Sequence, residues 1–291
     1  MAVRGAVRSL ISQIHSAENI AIGNISSKTD WTVALRKAER VVHLAARVHV
    51  MSDKISDSAV EFYRVNVEAT ANLARQAAAA GVNRFVYASS IKVNGESTDL
   101  GSPFNADDIP APEDPYGVSK YEAERLLRQI AAETGMGVVI IRPPLVYGPG
   151  VKANFESMMR WIVRGLPLPL AALTENRRSL VALDNLVDLI VTCLDHPAAN
   201  NQTFLVSDGE DLSTADLVKR LGTALDHPAH LLYVPHFLLE LGARITRKSS
   251  IYQRLCGTLQ LDISKTHHLL GWTPPISVDE GLRRAAQGFC R

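Results

Sequence analysis

The amino-acid sequence predicts an α/β protein, a doubly wound parallel sheet followed by a smaller lobe. Short, β-branched, almost continuously apolar runs alternate with amphipathic stretches through the first half. That is the pattern of parallel strands covered on both faces by crossover helices. After Gly148 the alternation loosens and helical patterns dominate. The expected division is therefore a sheet core over residues 1–148 and, mainly, a second lobe over 149–291, with strands returning to the core.

Taken in order, Ala2–Val7, Ile20–Ile25, Val41–Ala46, Phe85–Ser90 and Val138–Pro143 read as strands. Helical stretches lie between them at Asp30–Glu39, Asp57–Ala80 and Tyr116–Thr134. The second of these keeps apolar residues at helical spacing and stops at Gly81, a suitable C-cap. Beyond Gly148, "GPGVKANFESMMRWIVRGLPLPL" reads as a loop, a helix and a proline-bounded exit. "RRSLVALDNLVDLIVTCL" reads as a short strand and a helix beginning near Asp184, and "TFLVSD" as another strand. Ligands of such sheets sit beyond the carboxyl ends of the strands. The second lobe is expected to lie over that crevice.

Composition narrows the function. The chain has 291 residues, 46% hydrophobic and 21% charged, as expected of a soluble globular protein of one large or two modest domains. A formal net charge of +1 gives no basic footprint for a phosphate backbone, so nucleic acid is not expected as a partner. Cys193, Cys256 and Cys290 lie far apart and form neither a disulfide framework nor a metal motif. His267 and His268 lack companion ligands, so no metal is expected. Arg4 and Arg8 interrupt the N-terminal apolar run, which argues against a secretory signal. No segment is long and apolar enough to span a bilayer, and a cytoplasmic location is the expectation.

Chemistry concentrates at the strand ends. "DPYGVSKYEAERLL" places Tyr116 and Lys120 four apart at the head of a helix, hence on one face. A lysine cation there would favour the phenolate and lower the tyrosine pKa, as a general acid/base for a hydroxyl proton requires. "VYASSIKVNG" puts Ser89 and Ser90 at a strand end beside the same crevice, where a hydroxyl could hold a substrate oxygen. "VVHLAA" supplies small residues for close approach to a ligand, and "IIRPPLVYGPG" an arginine followed by two prolines that end the ladder.

In order, HLAA, Asn66 with Thr70, SSIKVNG, YGVSK, RPPLVYGPG and LDISK…LGW resemble the extended short-chain dehydrogenase/reductase family. The branch most resembled is the nucleotide-sugar epimerases, dehydratases and 4-keto reductases. The resemblance implies a Rossmann-like doubly wound parallel sheet with a smaller C-terminal substrate lobe. It implies a catalytic trio of Ser90, Tyr116 and Lys120, with Lys120 also on the nicotinamide ribose. Cofactor contacts would come from Arg8, Asn24, Ile25, Leu44, Ala45, Ala46, Asn66, Ser89, Arg142 and Pro143, besides Tyr116 and Lys120. Substrate contacts would come from Ser90, Asn154, Phe155, Arg178 and Arg254, the two arginines on the phosphates of a UDP-sugar. Asn94 replaces the tyrosine of the family's usual VYG, with no effect expected on the chemistry. The apolar faces of 57–80 and 116–134 permit the homodimer that the family often forms.

The resemblance also exposes an absence. The glycine-rich turn that holds a dinucleotide pyrophosphate is missing, and the one G-x-G-x-x-[GA] match, Gly148 to Ala153, comes too late. "AVRGAVRS" resembles the family's second strand, so about one βα unit, on the order of 30 residues, is expected to be absent. Its strand would be central, and its loss would expose two strand edges. Arg8 follows Val7 with no carboxylate nearby, which suits the 2′-phosphate of NADP over NAD, and so a reductase. Asn24 stands where the family commonly has an aspartate near the adenine. The leading function is hydride transfer at C4 of a UDP-sugar, by 4-epimerase or 4-keto reductase, in surface-polysaccharide synthesis. Two alternatives are a non-catalytic relic or sugar-binding module without a working cofactor site, and a hydroxysteroid-type dehydrogenase. Arg178 and Arg254 disfavour the last, since a sterol has no phosphates.

Overall fold

A computed structural model describes residues 2–9, 17–48, 55–245 and 249–289. In chain order these carry β1 (Val3–Val7), β2 (Ala17–Ala21), α1 (Thr32–Leu35), β3 (Arg40–His43), α2 (Ile55–Phe62), a π-helical turn (Tyr63–Glu68), α3 (Ala69–Ala79), β4 (Arg84–Ala88), α4 (Pro115–Thr134) and β5 (Gly137–Arg142). There follow β6 (Leu145–Tyr147), α5 (Ala153–Val163), β7 (Arg178–Ala182), α6 (Leu183–Asp195), β8 (Thr203–Leu205), β9 (Asp211–Leu212), α7 (Thr214–Ala224), α8 (His236–Ile245), α9 (Ser249–Cys256), α10 (Ser264–Leu270) and α11 (Val278–Phe289). The chain forms two compact units that interleave in sequence. One holds residues 1–95, 109–142 and 192–204, the other 96–108, 143–191 and 205–291.

In the first unit the strands form two ladders, β1-β2 and β3-β4-β5-β8. β1 and β2 are parallel, as are β3 with β4 and β4 with β5. Neither β1 nor β3 has a second ladder partner among the described residues. Parallel pairing brings His43, Ala88 and Arg142 to the same carboxyl edge. The core under the larger ladder is Phe85, Tyr87, Val138 and Ile140 of the strands against Leu73, Ala77, Leu127 and Ile130 of α3 and α4. The loop after β2 is tied to α3, because Asn72 and Gln76 each donate to the Thr29 carbonyl at 2.8 Å.

Two expected elements change in kind. The helix expected over 30–39 shrinks to Thr32–Leu35, since only Leu35 is buried along it and Lys37 takes φ +58°, which ends the turn. The helix expected over 57–80 contains a π turn, and Asn66 lies within it. Such turns insert a residue and redirect a side chain, often at functional sites.

The second unit contains the three-stranded ladder β6-β7-β9, with β6 and β7 parallel and β7 and β9 antiparallel. Its core gathers Tyr147, Phe155, Met159, Leu180, Leu221 and Leu282 from the strands and α5, α7 and α11.

Candidate active site

The site is built around the head of α4. Asp114 is its N-cap, accepting from the Gly117 amide at 2.6 Å, and Pro115 opens the first turn. A Cβ at residue 117 would stand 2.8 Å from the Lys92 carbonyl. That explains the glycine between Tyr116 and Lys120: the loop after β4 passes too close to the helix for any side chain. Lys92 reinforces the approach with a 2.6 Å ion pair to Asp114. Ser90 caps the short turn Ile91–Val93 on this loop, its Oγ accepting from the Lys92 amide at 3.3 Å, and it stays partly exposed.

Tyr116 is half-buried, with Phe62 edge-on at 5.9 Å between ring centroids. Lys120 is buried at 2% exposure, and its Nζ donates to the Ala88 carbonyl at 2.7 Å. The ammonium stands 4.6 Å from the Tyr87 ring centre and 5.9 Å from that of Tyr116. Asn66 Nδ2 reaches Ser119 Oγ at 3.0 Å, and its side chain also binds the backbone of Arg47 in both directions. So Asn66 pins the turn of α4 between Tyr116 and Lys120.

Burial decides the electrostatics. It pushes the Tyr116 phenol from its usual 10.0 up to about 12, and the Asp114 charge adds to the rise. Burial also pushes Lys120 from 10.5 down to about 7, with the Glu124 carboxylate opposing. The sequence pattern leads to the opposite expectation for the tyrosine, a phenol lowered by the lysine cation. Spacing fixes which groups are neighbours, but lost hydration outweighs their attraction here. The arrangement is a protonated phenol beside an amine poised near neutrality.

Below the pair lies a buried ionic network. Arg142, 1% exposed, donates from Nε and Nη2 to the two oxygens of Glu124 at 2.9 and 2.6 Å, and from Nη1 to Asn94 Oδ1 at 2.9 Å. Ser89 Oγ donates to the same carboxylate at 2.6 Å, and Arg128 reaches it at 3.1 Å. The resemblance implies cofactor contacts for Ser89 and Arg142; in the structure their side chains hold α4 to the ends of β4 and β5. Glu124 escapes the sequence reading, although it sits one turn beyond Lys120 on the same face. Asn94 stands out in the sequence only as a departure from VYG, and its partner is Arg142.

The other anticipated cofactor residues lie at two further strand ends. Arg8 Nε donates to Asn24 Oδ1 at 2.6 Å, both exposed, and Ile25 packs against the core. Leu44 and Ala45 are exposed where the chain leaves β3, and Ala46 is half-buried. Small or apolar exposed residues at β3, with the buried amine of Lys120, fit a nicotinamide and its ribose. No described turn between a strand and a helix carries a glycine-rich run of amides for a pyrophosphate. The described residues therefore fit the nicotinamide half of the cofactor and not its diphosphate.

In the second unit Pro143 is half-buried ahead of β6. Phe155 is 2% exposed and stacks on Tyr147 at 5.5 Å, so its ring belongs to the core. Arg178, at the start of β7, is partly exposed and donates to the Gly257 carbonyl at 2.9 Å. The side chains of Asn154 and Arg254 lie outside the described residues. No group of His, Cys, Asp and Glu among the described residues could hold a metal, and no described helix is long and apolar enough to cross a membrane.

Comparison with known proteins gives the site its context. The chain is 51% identical over 287 residues to the UDP-glucose 4-epimerase of Vibrio cholerae, covering 99% of this chain and 87% of that one. It is 29% identical to the N-acetyl-alpha-D-glucosaminyl-diphospho-ditrans,octacis-undecaprenol 4-epimerase of Escherichia coli O157:H7, over 91% of this chain and 82% of that one. MoeE5, solved with UDP-glucose and NAD, shares the fold at TM-score 0.77 and 24% identity, over 100% of this chain and 91% of that one. The family described as NAD dependent epimerase/dehydratase matches residues 3–207, and the protein belongs to that family.

Proposed function

We propose that the protein is a nucleotide-sugar 4-epimerase, inverting C4 of a UDP-sugar through a 4-keto intermediate. The observation that carries this reading is the Tyr116–Lys120 pair beside Ser90 at one strand edge, in a chain 51% identical to a UDP-glucose 4-epimerase. The nicotinamide, when bound, supplies a hydride acceptor and donor at C4. Ser90 donates a hydrogen bond to the C4 oxygen and aligns it. Tyr116, as the phenolate, takes the proton from that oxygen while C4 is oxidised, and the phenol so formed returns it while C4 is reduced. Lys120 in its charged form lowers the cost of the transient phenolate, because a cation close to an anion in a dry site is strongly stabilising. Arg178 binds the diphosphate of the substrate, and Arg254 is assigned the same role from its place ahead of LDISK.

The family is NAD-dependent, and Arg8 refines the choice of cofactor. Held by Asn24, and with no carboxylate paired to it among the described residues, Arg8 suits a 2′-phosphate, so NADP is taken at least as readily as NAD. The same arginine supports a second reading, a 4-keto reductase using NADPH. The activity is assigned to the cytoplasm. Exposed Val60, Tyr63 and Val118 on α2, the π turn and α4 support a homodimer through these helices.

The test incubates the protein with UDP-glucose and NAD, then with a UDP-4-keto sugar and NADPH, following products by NMR. Interconversion of glucose and galactose forms supports the epimerase; consumption of the keto sugar alone moves the assignment to the reductase. Neither reaction, with both cofactors bound, would refute both. Because no described turn suits the pyrophosphate, calorimetric titration of the 291-residue chain should give affinity weaker than submicromolar for either cofactor.

A further inference from the structure

The Lys120 ammonium has three N–H donors and, among the described residues, one hydrogen-bond acceptor, the Ala88 carbonyl at 2.7 Å. Its other close neighbour is the ring of Tyr87, with the centre 4.6 Å from Nζ. That distance lies inside the range in which an aromatic face attracts a cation. The ring is firmly mounted. Tyr87 has no exposed surface, and it stacks on His43 at 5.8 Å and 24°. His43 is itself buried and shares a 2.9 Å hydrogen bond with Thr70. The buried Tyr87 hydroxyl approaches Thr70 without a hydrogen bond of ordinary geometry, and it is the ring that faces Lys120.

We propose that Tyr87 is a positioning residue of the reaction: its ring seats the Lys120 ammonium beside the Ala88 carbonyl and keeps the cation next to the Tyr116 phenol. The proposal rests on the reading of Tyr116 and Lys120 as the proton-transfer pair. A carboxylate in that seat would bind the amine more tightly but would cancel its charge and take up its donors. A ring attracts the cation and accepts no conventional hydrogen bond, leaving two N–H groups for the phenol oxygen and bound ligands. The groups facing Lys120 from each packed element are consistent with that division. On α4 these are Tyr116 and Glu124, the latter held by Arg142 and Ser89. On β4 they are Tyr87 and the Ala88 carbonyl, and on β3 His43, which burial and the Lys120 charge keep neutral with a pKa of about 3.

The experiment replaces Tyr87 by Phe, by 3,4,5-trifluorophenylalanine and by Leu, and follows two readouts. NMR titration of the ¹⁵N-labelled lysine side chains gives the Lys120 midpoint without any need for activity, and the pH profile of kcat/KM gives its effect on the reaction. Tyr87→Phe should keep both at their wild-type positions. The trifluoro ring has nearly the same size but little negative face, so it should lower the midpoint by about 0.4–1.5 pH units. The alkaline limb of kcat/KM should move down equally, while KM for the sugar nucleotide stays unchanged. Tyr87→Leu should do the same, and if it does not fold the fluorinated ring decides alone. An unmoved Lys120 midpoint with the trifluoro ring overturns the proposal, and so does a moved midpoint with an unmoved pH profile. A wild-type protein without epimerase activity would sink the functional reading, whereas the lysine titration judges the ring contact separately.

Discussion

Two buried charges stand one turn apart on α4 and are treated in opposite ways. Glu124, with no exposed surface, meets the Arg142 fork on both oxygens, a Ser89 hydroxyl and Arg128. Lys120, almost as deeply buried, is given only a carbonyl and an aromatic face among the described residues. A buried charge with a full set of partners holds structure, and breaking it leaves an uncompensated ion. One that is desolvated without a counter-ion has its pKa moved toward neutrality, which is the mark of a functional group. On one helix face, then, partner count separates the brace from the reactive pair.

The comparison is broken most severely at the reactive end. Tyr116→Phe should lower kcat by about 10²–10⁴-fold with little change in KM, since the phenol acts chiefly in the transition state. Steady-state epimerisation kinetics measure this, and retention of most activity in a folded variant would remove Tyr116 from the mechanism. Lys120→Met should be at least as damaging. At the brace, Glu124→Gln should cost about 3–5 kcal/mol of stability by stranding Arg142. Urea unfolding reads that cost, and a loss below about 1 kcal/mol would show the pair to be dispensable.

The same contrast gives a prediction of opposite sign for stability. The folded pKa of Lys120 is depressed from 10.5 to about 7, so between those values the unfolded chain binds a proton that the native protein lacks. Stability therefore rises with pH through that window, and the penalty is complete below about 7. Lys120→Met should raise stability at neutral pH by a few kcal/mol, since each tenfold loss of proton affinity is worth about 1.4 kcal/mol, and should flatten the rise. Melting temperatures across this pH range check it; a destabilised Met variant would mean that the amine is held at no cost. The smallest expected effect lies in the second unit. Arg178→Ala should lose about 1.5–3 kcal/mol of substrate affinity, raising KM while sparing kcat. An unchanged KM would free Arg178 from the phosphate role.

Much of this could be read from the residues. The alternation of apolar runs and amphipathic stretches leads to the parallel strands at 40–43, 84–88 and 137–142, and the i, i+4 spacing of Tyr116 and Lys120 to a shared face at the head of α4. Gly117 is visible in the sequence, but its reason is not: the Lys92 carbonyl approaches from a loop more than twenty residues earlier. Phe155, expected beside substrate, lies in a core, because an aromatic near the start of a helix looks the same in sequence whichever way it turns.

What the sequence determined by itself is local: which segments take helical or extended periods, and which side chains share a face within one segment. Only the tertiary structure decided the partners and the charges. Arg142 finds Glu124 and Asn94 across a strand, a helix and a loop, and no spacing rule links them. The direction of the Tyr116 shift was likewise out of reach. Proximity of a cation can be read from a spacing of four, but the water removed from both groups depends on Phe62, Tyr87 and the strand edge packed around them. Desolvation is a property of the assembled neighbourhood, and here it outweighs the pair.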